Sequence, residues 1–360
     1  MRNLTRGLTF IGLLTTGGVA SAADLPSAKD LLDSWGVSLS GYVDGQYEYS
    51  SSPSPSLHVF DARHDSFALN QAALTLAMQP KEGWGGVVNV IAGEDARLIN
   101  SFSTPSSNNN FDVTQAFIQY ATGGWTIQGG KMLTLAGAEV IAPTLNTNVS
   151  RSLLFNAEPF THTGLRATYA ASDTVSVIFG VNNGWNETSD NNSQKTAEVG
   201  LSLTPSKAFT LTAQGYFGSE RLPNGSDGER DLVDLVGTWN VTDAASFVLN
   251  YDWGKQDNIL AGGGDAKWYG VAGYFNYAIN SLWRMSLRAE YFDDKDGYTT
   301  GAVQKVKEVT ATFGYAPVKS FELRLEGRYD KSDSNFFVKD SSGKIDDNQT
   351  GVLVEGVFKF

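Results

Sequence analysis

The chain has 360 residues, a net charge of −12 and no cysteine. The acidic balance argues against nucleic-acid binding, which requires a basic surface, and the lack of cysteine excludes a disulfide framework. Apolar residues make up 41% of the chain, yet no stretch approaches the roughly 20 consecutive apolar residues of a membrane-spanning helix. Glycine (38 residues) and aromatic residues (12%) are abundant, which is typical of many strands joined by tight turns.

Residues 1–22 have the organisation of a secretory signal peptide. They carry two arginines and no acidic residue, followed by an apolar stretch over residues 8–14 and a small-residue Ala-Ser-Ala site at residues 20–22. The apolar stretch is too short to span a membrane. We therefore expect export, removal of residues 1–22 and one mature domain over residues 23–360, with a short helical lead-in near residues 27–35. An amphipathic targeting helix for another compartment is the alternative.

About sixteen later segments alternate apolar and polar residues. In residues 283–291 and 321–329 the odd-numbered positions are apolar and the even-numbered positions are polar or charged. Because side chains alternate sides along a strand, one face of each segment meets an apolar medium and the other a polar one. A membrane barrel produces this pattern, and so does an exported soluble β-sandwich whose apolar faces pack together. Tyrosines and tryptophans near the predicted strand ends favour interfacial girdles, although ordinary strand propensity also enriches aromatics.

The connections between these segments alternate between short and long. Outer-membrane barrels have short periplasmic turns, long outer loops and an even number of strands. We therefore predict an all-β, transmembrane, antiparallel up-and-down barrel of about 16 strands, with 14 or 18 as alternatives. The short turns lie near residues 80–83, 122–123, 171–173, 205–207, 242–244, 280–281 and 317–320, and the long loops near residues 50–65, 94–110, 132–161, 183–194, 219–230, 256–265, 294–304 and 331–347.

The last predicted strand, residues 351–360, presents an apolar face up to Phe360. A barrel that closes in lipid needs such an outward face, whereas an ordinary edge strand does not. This ending resembles the carboxy-terminal assembly signal of bacterial outer-membrane barrels. We therefore expect the strand ending at Phe360 to be bound by the barrel assembly machinery, and the finished wall to contact outer-membrane lipid and lipopolysaccharide.

Several segments resemble the putative β-barrel porin-2 (OmpL-like) family of bacterial outer-membrane proteins. The resemblance is a pattern over most of the mature chain and implies a Gram-negative outer-membrane pore without a named substrate. It fixes no catalytic residue. The segments are LLDSWGV (31–37), SGYVDGQY (40–47), FALNQAALTL (67–76), GK (130–131), GAE (137–139), SRSLLF (150–155) and EPFTHTG (158–164).

The longest loop, residues 132–161, is the third long one. In porins generally, the third outer loop folds inward and constricts the channel, so the resemblance implies a constriction loop here. Residues 132–138 are apolar enough to pack against the inner wall. Glu139, Arg151 and Glu158 are then the charged residues of the constriction. The alternative is a loop folded over the mouth of the barrel.

Charged residues occupy the inward positions of the thirteenth and fifteenth predicted strands. A ring of charge inside a pore sets its ion preference, but facing rows of arginine and glutamate can also neutralise one another across neighbouring strands. Both outcomes remain open, and so does the charge selectivity. Asp44, Glu198, Asp234, Asp252 and Glu308 also point inward. The predicted pore-lining residues are Arg166, Arg284, Arg288, Glu290, Glu322, Arg324, Glu326 and Arg328.

The sequence shows no catalytic triad and no metal-ligand spacing. Its three histidines are His58, His64 and His162. We predict no cofactor, no metal and no enzymatic activity, and an outer-membrane porin that allows passive diffusion of small hydrophilic solutes and ions through a water-filled barrel. Assembly as a homotrimer is left open. The rivals are a loop-closed barrel acting as an adhesin or structural anchor, and a barrel hydrolase with a rim site that includes His64 and Asp293.

Overall fold

The computed structural model describes residues 32–52, 57–61, 63–99, 109–339 and 343–360. The predicted signal peptide and the beginning of the predicted lead-in helix lie outside these residues. Residues 32–34 are helical and lead directly into the first strand. No helix among the described residues is both long and apolar enough to cross a membrane.

Sixteen antiparallel strands form a closed barrel, as the alternation predicts. Each strand pairs with its neighbours in the chain, so the topology is a simple up-and-down meander. The strands are β1 (Ser38–Ser50), β2 (Ser66–Met78), β3 (Gly83–Ala92), β4 (Phe111–Thr122), β5 (Trp125–Leu133), β6 (Thr161–Ser172), β7 (Val175–Asn182), β8 (Thr196–Ser206), β9 (Phe209–Arg221), β10 (Asp227–Asn240), β11 (Ala245–Gln256), β12 (Ala266–Ala278), β13 (Trp283–Asp294), β14 (Gln304–Val318), β15 (Phe321–Ser332) and β18 (Asn348–Lys359).

The other elements are short and lie in the long loops. Helix α1 (Glu94–Ile99) follows β3, a 3-10 turn (Pro143–Leu145) and helix α2 (Leu153–Asn156) follow β5, and a small hairpin of β16 (Phe337–Val338) and β17 (Ile345–Asp346) precedes β18. None of these elements belongs to the barrel sheet.

The first and last strands close the barrel. β1 pairs with β18 from Tyr42 opposite Lys359 to Ser50 opposite Gly351. The Gly41 amide donates to the carbonyl of Phe360, and the Phe360 amide donates back to Gly41. A Cβ atom at Gly41 would lie 2.5 Å from the Phe360 ring, so the seam requires glycine there. Closure leaves no unpaired edge in the wall.

Charged side chains point into the barrel and apolar side chains point out. On β15 the buried residues are Glu322, Arg324, Glu326, Arg328 and Asp330, while the alternate leucines and Tyr329 are exposed. A water-soluble protein has the opposite arrangement. The outward apolar face therefore requires a lipid environment, and the polar face forms the lumen.

Aromatic rings form a belt at the short-turn end of the wall. Adjacent strands bring these rings into pairwise contact, with centroids 4.5–4.9 Å apart. Trp and Tyr rings, which have an apolar body and a polar edge, favour the boundary between lipid and water, so the three pairs that contain them mark one membrane interface. The pairs are Trp84–Tyr120, Trp125–Tyr169, Phe247–Phe275 and Trp283–Tyr315.

The other eight connections, most of them longer, lie together at the opposite end. We number them L1 to L8; L1 spans residues 51–65, L3 spans residues 134–160, L6 spans residues 257–265 and L8 spans residues 333–347. The prediction for the fifth loop was wrong in its bounds. β9 and β10 continue pairing as far as Arg221 and Asp227, so L5 is a tight connection of residues 222–226, because the predicted loop residues extend the hairpin.

Candidate functional site

L3 lies inside the barrel and contacts widely separated regions of the wall. The Gln71 side chain on β2 donates to the carbonyl of Ile141 at 3.0 Å. Across the lumen, the amide of Leu135 donates to the Tyr216 hydroxyl of β9 at 3.1 Å. The amide of Ala138 donates to Asn250 on β11 at 2.8 Å. Of the two arrangements that the sequence left open, the structure has the inward loop.

Glu290 on β13 holds the start of helix α2. Its two carboxylate oxygens accept the amides of Leu153 and Leu154, each at 2.8 Å. These first-turn amides have no partner within the helix, and a carboxylate at that end is also favoured by the helix dipole. Ser152 caps the same turn by accepting the amide of Phe155 at 3.2 Å. One predicted pore-lining acid is therefore an anchor for the loop.

Glu326 on β15 has the same role for the preceding segment of the loop. It accepts the amides of Val149 and Ser150 at 2.6 and 2.9 Å. The Thr312 hydroxyl on β14 donates to the same carboxylate at 2.6 Å and accepts from the side chain of Asn148 at 2.7 Å. The strand wall thus supplies acceptors for consecutive L3 amides, which would otherwise be buried without partners.

Arg288 connects the loop to the wall through charge. Its guanidinium pairs with Glu139 of L3 at 2.8 Å and with Glu308 of β14 at 3.0 Å. It also donates to the carbonyl of Ser150 at 2.8 Å. Arg288 is 1% exposed. This arginine is therefore paired on both sides and does not face open water.

The remaining arginines of the β13–β15 wall are also paired. Arg324 contacts Glu322 at 2.8 Å and Glu355 at 3.0 Å, and donates to the carbonyl of Pro143 in L3 at 3.0 Å. Arg284 contacts Glu322 at 2.5 Å. These distances show that the charged rows neutralise one another, which is one of the two predicted arrangements.

Arg328 extends the network to L1. It pairs with Asp330 on its own strand at 3.1 Å and with Asp61 of L1. On the same side, His58 of L1 contacts Asp330 through Nε2 at 3.0 Å and the carbonyl of Arg151 through Nδ1 at 2.7 Å. L1 and L3 are consequently bound to each other as well as to β15.

Arg151 organises the fold of L3 itself. It is 2% exposed, and its guanidinium lies 5.5 and 5.9 Å from the ring centres of Phe60 and Phe155. Its three nitrogens donate at 2.7–2.9 Å to loop carbonyls, those of Val140, Ile141 and Val149. Because each of its three nitrogens donates to a backbone carbonyl of L3, Arg151 stabilises the fold of the loop.

Arg166 on β6 lies near the two ends of L3. It bonds Glu198 of β8 at 2.9 Å and donates to the carbonyl of Leu133 at 3.1 Å. The Tyr216 hydroxyl donates to Glu198 at 3.1 Å. This group fixes the point at which the chain leaves β5 and enters the lumen.

Glu158 lies at the other end of L3, close to Asp234 on β10 and Asp252 on β11. Burial and then the charge of Asp234 raise the pKa of the Glu158 carboxyl, and Glu139 and Glu290 add to the effect. Asp44, Glu198, Asp234, Asp252 and Glu308, which the sequence predicted to point inward, are all buried on the lumen side, at most 2% exposed.

Two apolar clusters fill much of the lumen around L3. One includes Leu153, Leu154 and Trp268, and the other includes Phe60, Ile141 and Phe155. They explain why most of the predicted pore-lining charges are buried: L3 covers them. The sequence did not predict this, because an apolar loop residue can pack inside a barrel or against another loop.

Space remains on both sides of the loop. Toward the short-turn end, a cavity of about 390 Å³ lies between L3 and the wall of β1–β4, and Thr75, Asn89, Thr114 and Thr144 are among its lining residues. Near the outer mouth, a second cavity of about 250 Å³ reaches Glu158. Threonine and asparagine side chains offer donors and acceptors to water and to hydrophilic solutes.

The structure does not bring together His64 and Asp293, the residues considered for a hydrolase site at the rim. The ring of His64 contacts Tyr49 of β1, with centroids 5.8 Å apart. Asp293 lies on β13, four strand-to-strand steps around the wall from β1, and accepts the Tyr269 hydroxyl at 2.8 Å.

Solved structures share this fold. The outer-membrane channel DcaP of Acinetobacter baumannii has a TM-score of 0.60 at 16% identity, over 90% of this chain and 97% of that one. OmpT of Vibrio cholerae in its trimer form has a TM-score of 0.61 at 12% identity, over 90% and 99%. An anion-selective porin from Comamonas acidovorans has a TM-score of 0.60 at 13% identity, over 90% and 99%.

No curated protein matches the sequence. A family model does: putative beta-barrel porin-2, OmpL-like, over residues 36–360. This range runs from the residues just before β1 to Phe360, which follows β18, and it contains L1, L3 and the whole wall that anchors them. The chain belongs to this OmpL-like family of β-barrel porins.

Proposed function

We propose that this outer-membrane barrel is a passive diffusion channel for small hydrophilic solutes and ions, narrowed by L3. Family membership and fold make it an outer-membrane channel protein. The observation that carries the finer proposal is the inverted wall with a loop held across the lumen, and beside the loop a cavity whose lining includes the side chains of Thr75, Asn89 and Thr114. Solutes would pass beside L3, through the cavity that L3 shares with β1–β4 where the two are not in contact.

The predicted site residues then divide into two roles. Glu139, Arg151 and Glu158 shape and fasten the constriction loop, and the residues of the β13–β15 wall hold it in place. Charge neutralisation within this network removes a strong fixed field from the wall of β13–β15. Selectivity would then depend on the size and hydrogen bonding of the open side. The mechanism contains no covalent step, so we expect no enzymatic activity.

Processing and assembly follow the same proposal. Residues 1–22 would be removed on export, and the strand ending at Phe360 would be bound by the assembly machinery before closure against β1. The mature wall would contact lipid and lipopolysaccharide. A homotrimer is our working hypothesis for the assembly, because OmpT of Vibrio cholerae has a trimer form and the fold is shared. Light scattering of the detergent complex measures it.

A second function is favoured by one observation. The two apolar clusters pack L3 and L1 into the lumen with little exposed side chain. A barrel filled in this way can act as a closed structural anchor or adhesin whose outer loops contact a partner. In that case the open side of L3 would not connect the two membrane faces.

Single-channel conductance separates the two functions. The purified, refolded protein is inserted in a planar bilayer with a salt gradient across it. Stable current steps that scale linearly with voltage are the expected result, and the reversal potential reports which ion passes more readily. A folded, heat-modifiable barrel that gives no current steps would reject the diffusion channel and support the anchor.

A further inference from the structure

Three carboxylates from separate regions of the chain meet inside the barrel. Glu158 lies near the end of L3, Asp234 in the middle of β10 and Asp252 in β11. One oxygen of each lies within 4.8 Å of an oxygen of the others. The residues are 4%, 0% and 0% exposed, so water does not cover them as it covers acids on a surface.

The wall brings two of these charges directly opposite each other. Asp234 and Asp252 are register partners of the β10–β11 pair, a placement in which like charges destabilise a sheet. Among the ion pairs that the described residues form, none involves any of the three acids. Buried charges are normally paired with an opposite charge or bound to a metal.

Each acid keeps one oxygen without a hydrogen-bond donor. These oxygens are Oε1 of Glu158, Oδ1 of Asp234 and Oδ2 of Asp252. The other oxygens of the aspartates are held by the Asn250 amide, which donates to Asp234 at 2.7 Å and to Asp252 at 3.2 Å. Asn250 is itself fixed, since its oxygen accepts the amide of Ala138. Asn250 thus positions one oxygen of each aspartate, and the Asp252 carboxyl lies within hydrogen-bond reach of both Glu158 and Asp234.

Among the described residues, the surroundings supply polar contacts from Asn250 but no ion pair, and part of them is apolar. Leu232 precedes Asp234 on the inward face of β10, and Ala157 precedes Glu158; both belong to the apolar cluster that also contains Trp268. In such surroundings an uncompensated carboxylate is costly. The backbone also makes room for the third acid. Gly137 has φ +84°, and a Cβ atom there would lie 2.0 Å from Oε2 of Glu158.

We propose that Glu158, Asp234 and Asp252 bind a hard divalent cation, Ca²⁺ or Mg²⁺, which fastens the end of L3 to the β10–β11 wall. Such ions prefer carboxylate oxygens, and opposed ligands around Ca²⁺ lie about 5 Å apart, compatible with the observed separations. The cavity of about 250 Å³ at the outer mouth reaches Glu158 and leaves room for water ligands. The sequence predicted no metal, because these ligands share no short motif.

The test is cation binding by the folded, detergent-solubilised barrel after treatment with a chelator. Isothermal titration with Ca²⁺, and separately with Mg²⁺, is carried out on the parent protein and on Asp252→Asn and Glu158→Gln. The matched control is Asp243→Asn, which removes one acid from an exposed turn at the other end of the barrel. Heat-modifiable mobility shows that each variant has folded.

We expect one divalent cation per chain in the parent and the control, and at least tenfold weaker binding in the other two variants. The cation should raise the unfolding temperature of the parent and the control only. If the parent binds no cation, the proposed site is wrong, and the three acids instead avoid repulsion by sharing protons. If Asp252→Asn binds the cation as tightly as the parent does, the proposed site is wrong and the cation binds at the outer loops. Conductance measured in parallel separates this failure from failure of the channel function.

Discussion

At the residue scale, the lumen shows buried acids whose task is to accept backbone amides. Glu290 and Glu326 each bind two consecutive amides of L3. A carboxylate can only accept, and both of its oxygens are used. This explains why the wall carries glutamates at positions where a pore would otherwise expose them to solute. These two carboxylates hold L3 in place, and L3 determines the width of the channel.

Glu290→Gln tests this role with little change in shape. The amide side chain keeps one acceptor but directs an N–H group at a loop amide, which leaves a buried donor unsatisfied at a cost of about 1–3 kcal/mol. We expect L3 to become more mobile and single-channel currents to become noisier, with larger mean conductance. Glu229→Gln, an exposed acid on β10, is the control. Currents identical to those of the parent would contradict the anchoring role.

His58 gives the L1–L3 contact a dependence on pH. Its two nitrogens face acceptors, the carbonyl of Arg151 and the carboxylate of Asp330, so the doubly protonated ring satisfies both. Burial and Arg328 lower the pKa of His58, but Asp330, with help from Asp61, outweighs them and the pKa is raised. The stabilisation is therefore complete below the unfolded pKa of about 6.5 and lost as pH rises through the higher folded value.

We expect L1 to loosen as the pH rises from about 6 through the raised pKa of His58, seen as faster proteolysis of L1 and more frequent current fluctuations at the higher pH. His58→Gln should remove most of the change, because a neutral side chain no longer titrates against Asp330. His64→Gln, an exposed residue of the same loop, should retain it. A pH response that persists in His58→Gln would assign the switch to another group.

At the element scale, L3 is the component that converts a wide barrel into a narrow one. A closed wall of 16 strands leaves an aqueous channel unless something fills it. In this barrel L3 fills the channel. L3 contains two short helical turns, has Arg151 at its centre and contacts β2, β9, β11 and β13–β15. The chain between β5 and β6 therefore determines how much solute can pass, whereas the wall determines only the maximum diameter.

Shortening L3 tests this division directly. Replacing residues 138–156 by a glycine-serine turn should expose the wall arginines and glutamates to water and raise conductance severalfold. A matched control removes residues 259–263 from L6, which lie at the outer rim, and should leave conductance near that of the parent. If the shortened barrel folds and conducts no better, the constriction lies elsewhere.

Much of this architecture follows from local pattern. The strands and seven of the eight loops were predictable within a few residues, because side chains alternate with a period of two and turns interrupt the alternation. The partners of L3 were not. Leu153 and Glu290 are separated by 137 positions, and no local signal records that pairing. The sequence therefore predicted which residues face inward, but not which of them the loop covers.

At the scale of the whole molecule, the barrel has apolar side chains on its outer face and polar side chains inside, the reverse of a soluble protein. Leu249 in the middle of β11 is 57% exposed, and the neighbouring positions Asn250 and Asp252 are 1% and 0% exposed. In water such an exposed leucine would tolerate almost any polar replacement. In a bilayer the same position faces hydrocarbon, where a charge has no compensating hydration. The position therefore distinguishes the membrane barrel from an exported soluble β-sandwich.

Leu249→Arg should accordingly destabilise the barrel by about 2–4 kcal/mol if the residue lies near the bilayer midplane. The measurement is the free energy of unfolding in lipid vesicles from reversible denaturant titration. Val303→Arg is the control: Val303 is 66% exposed but lies in the seventh long connection, beyond the strand ends, so water can solvate its replacement and the cost should be near zero. Equal and small costs at both positions would mean that water surrounds the outer face of β11. That result would contradict the lipid-facing wall on which the channel function depends.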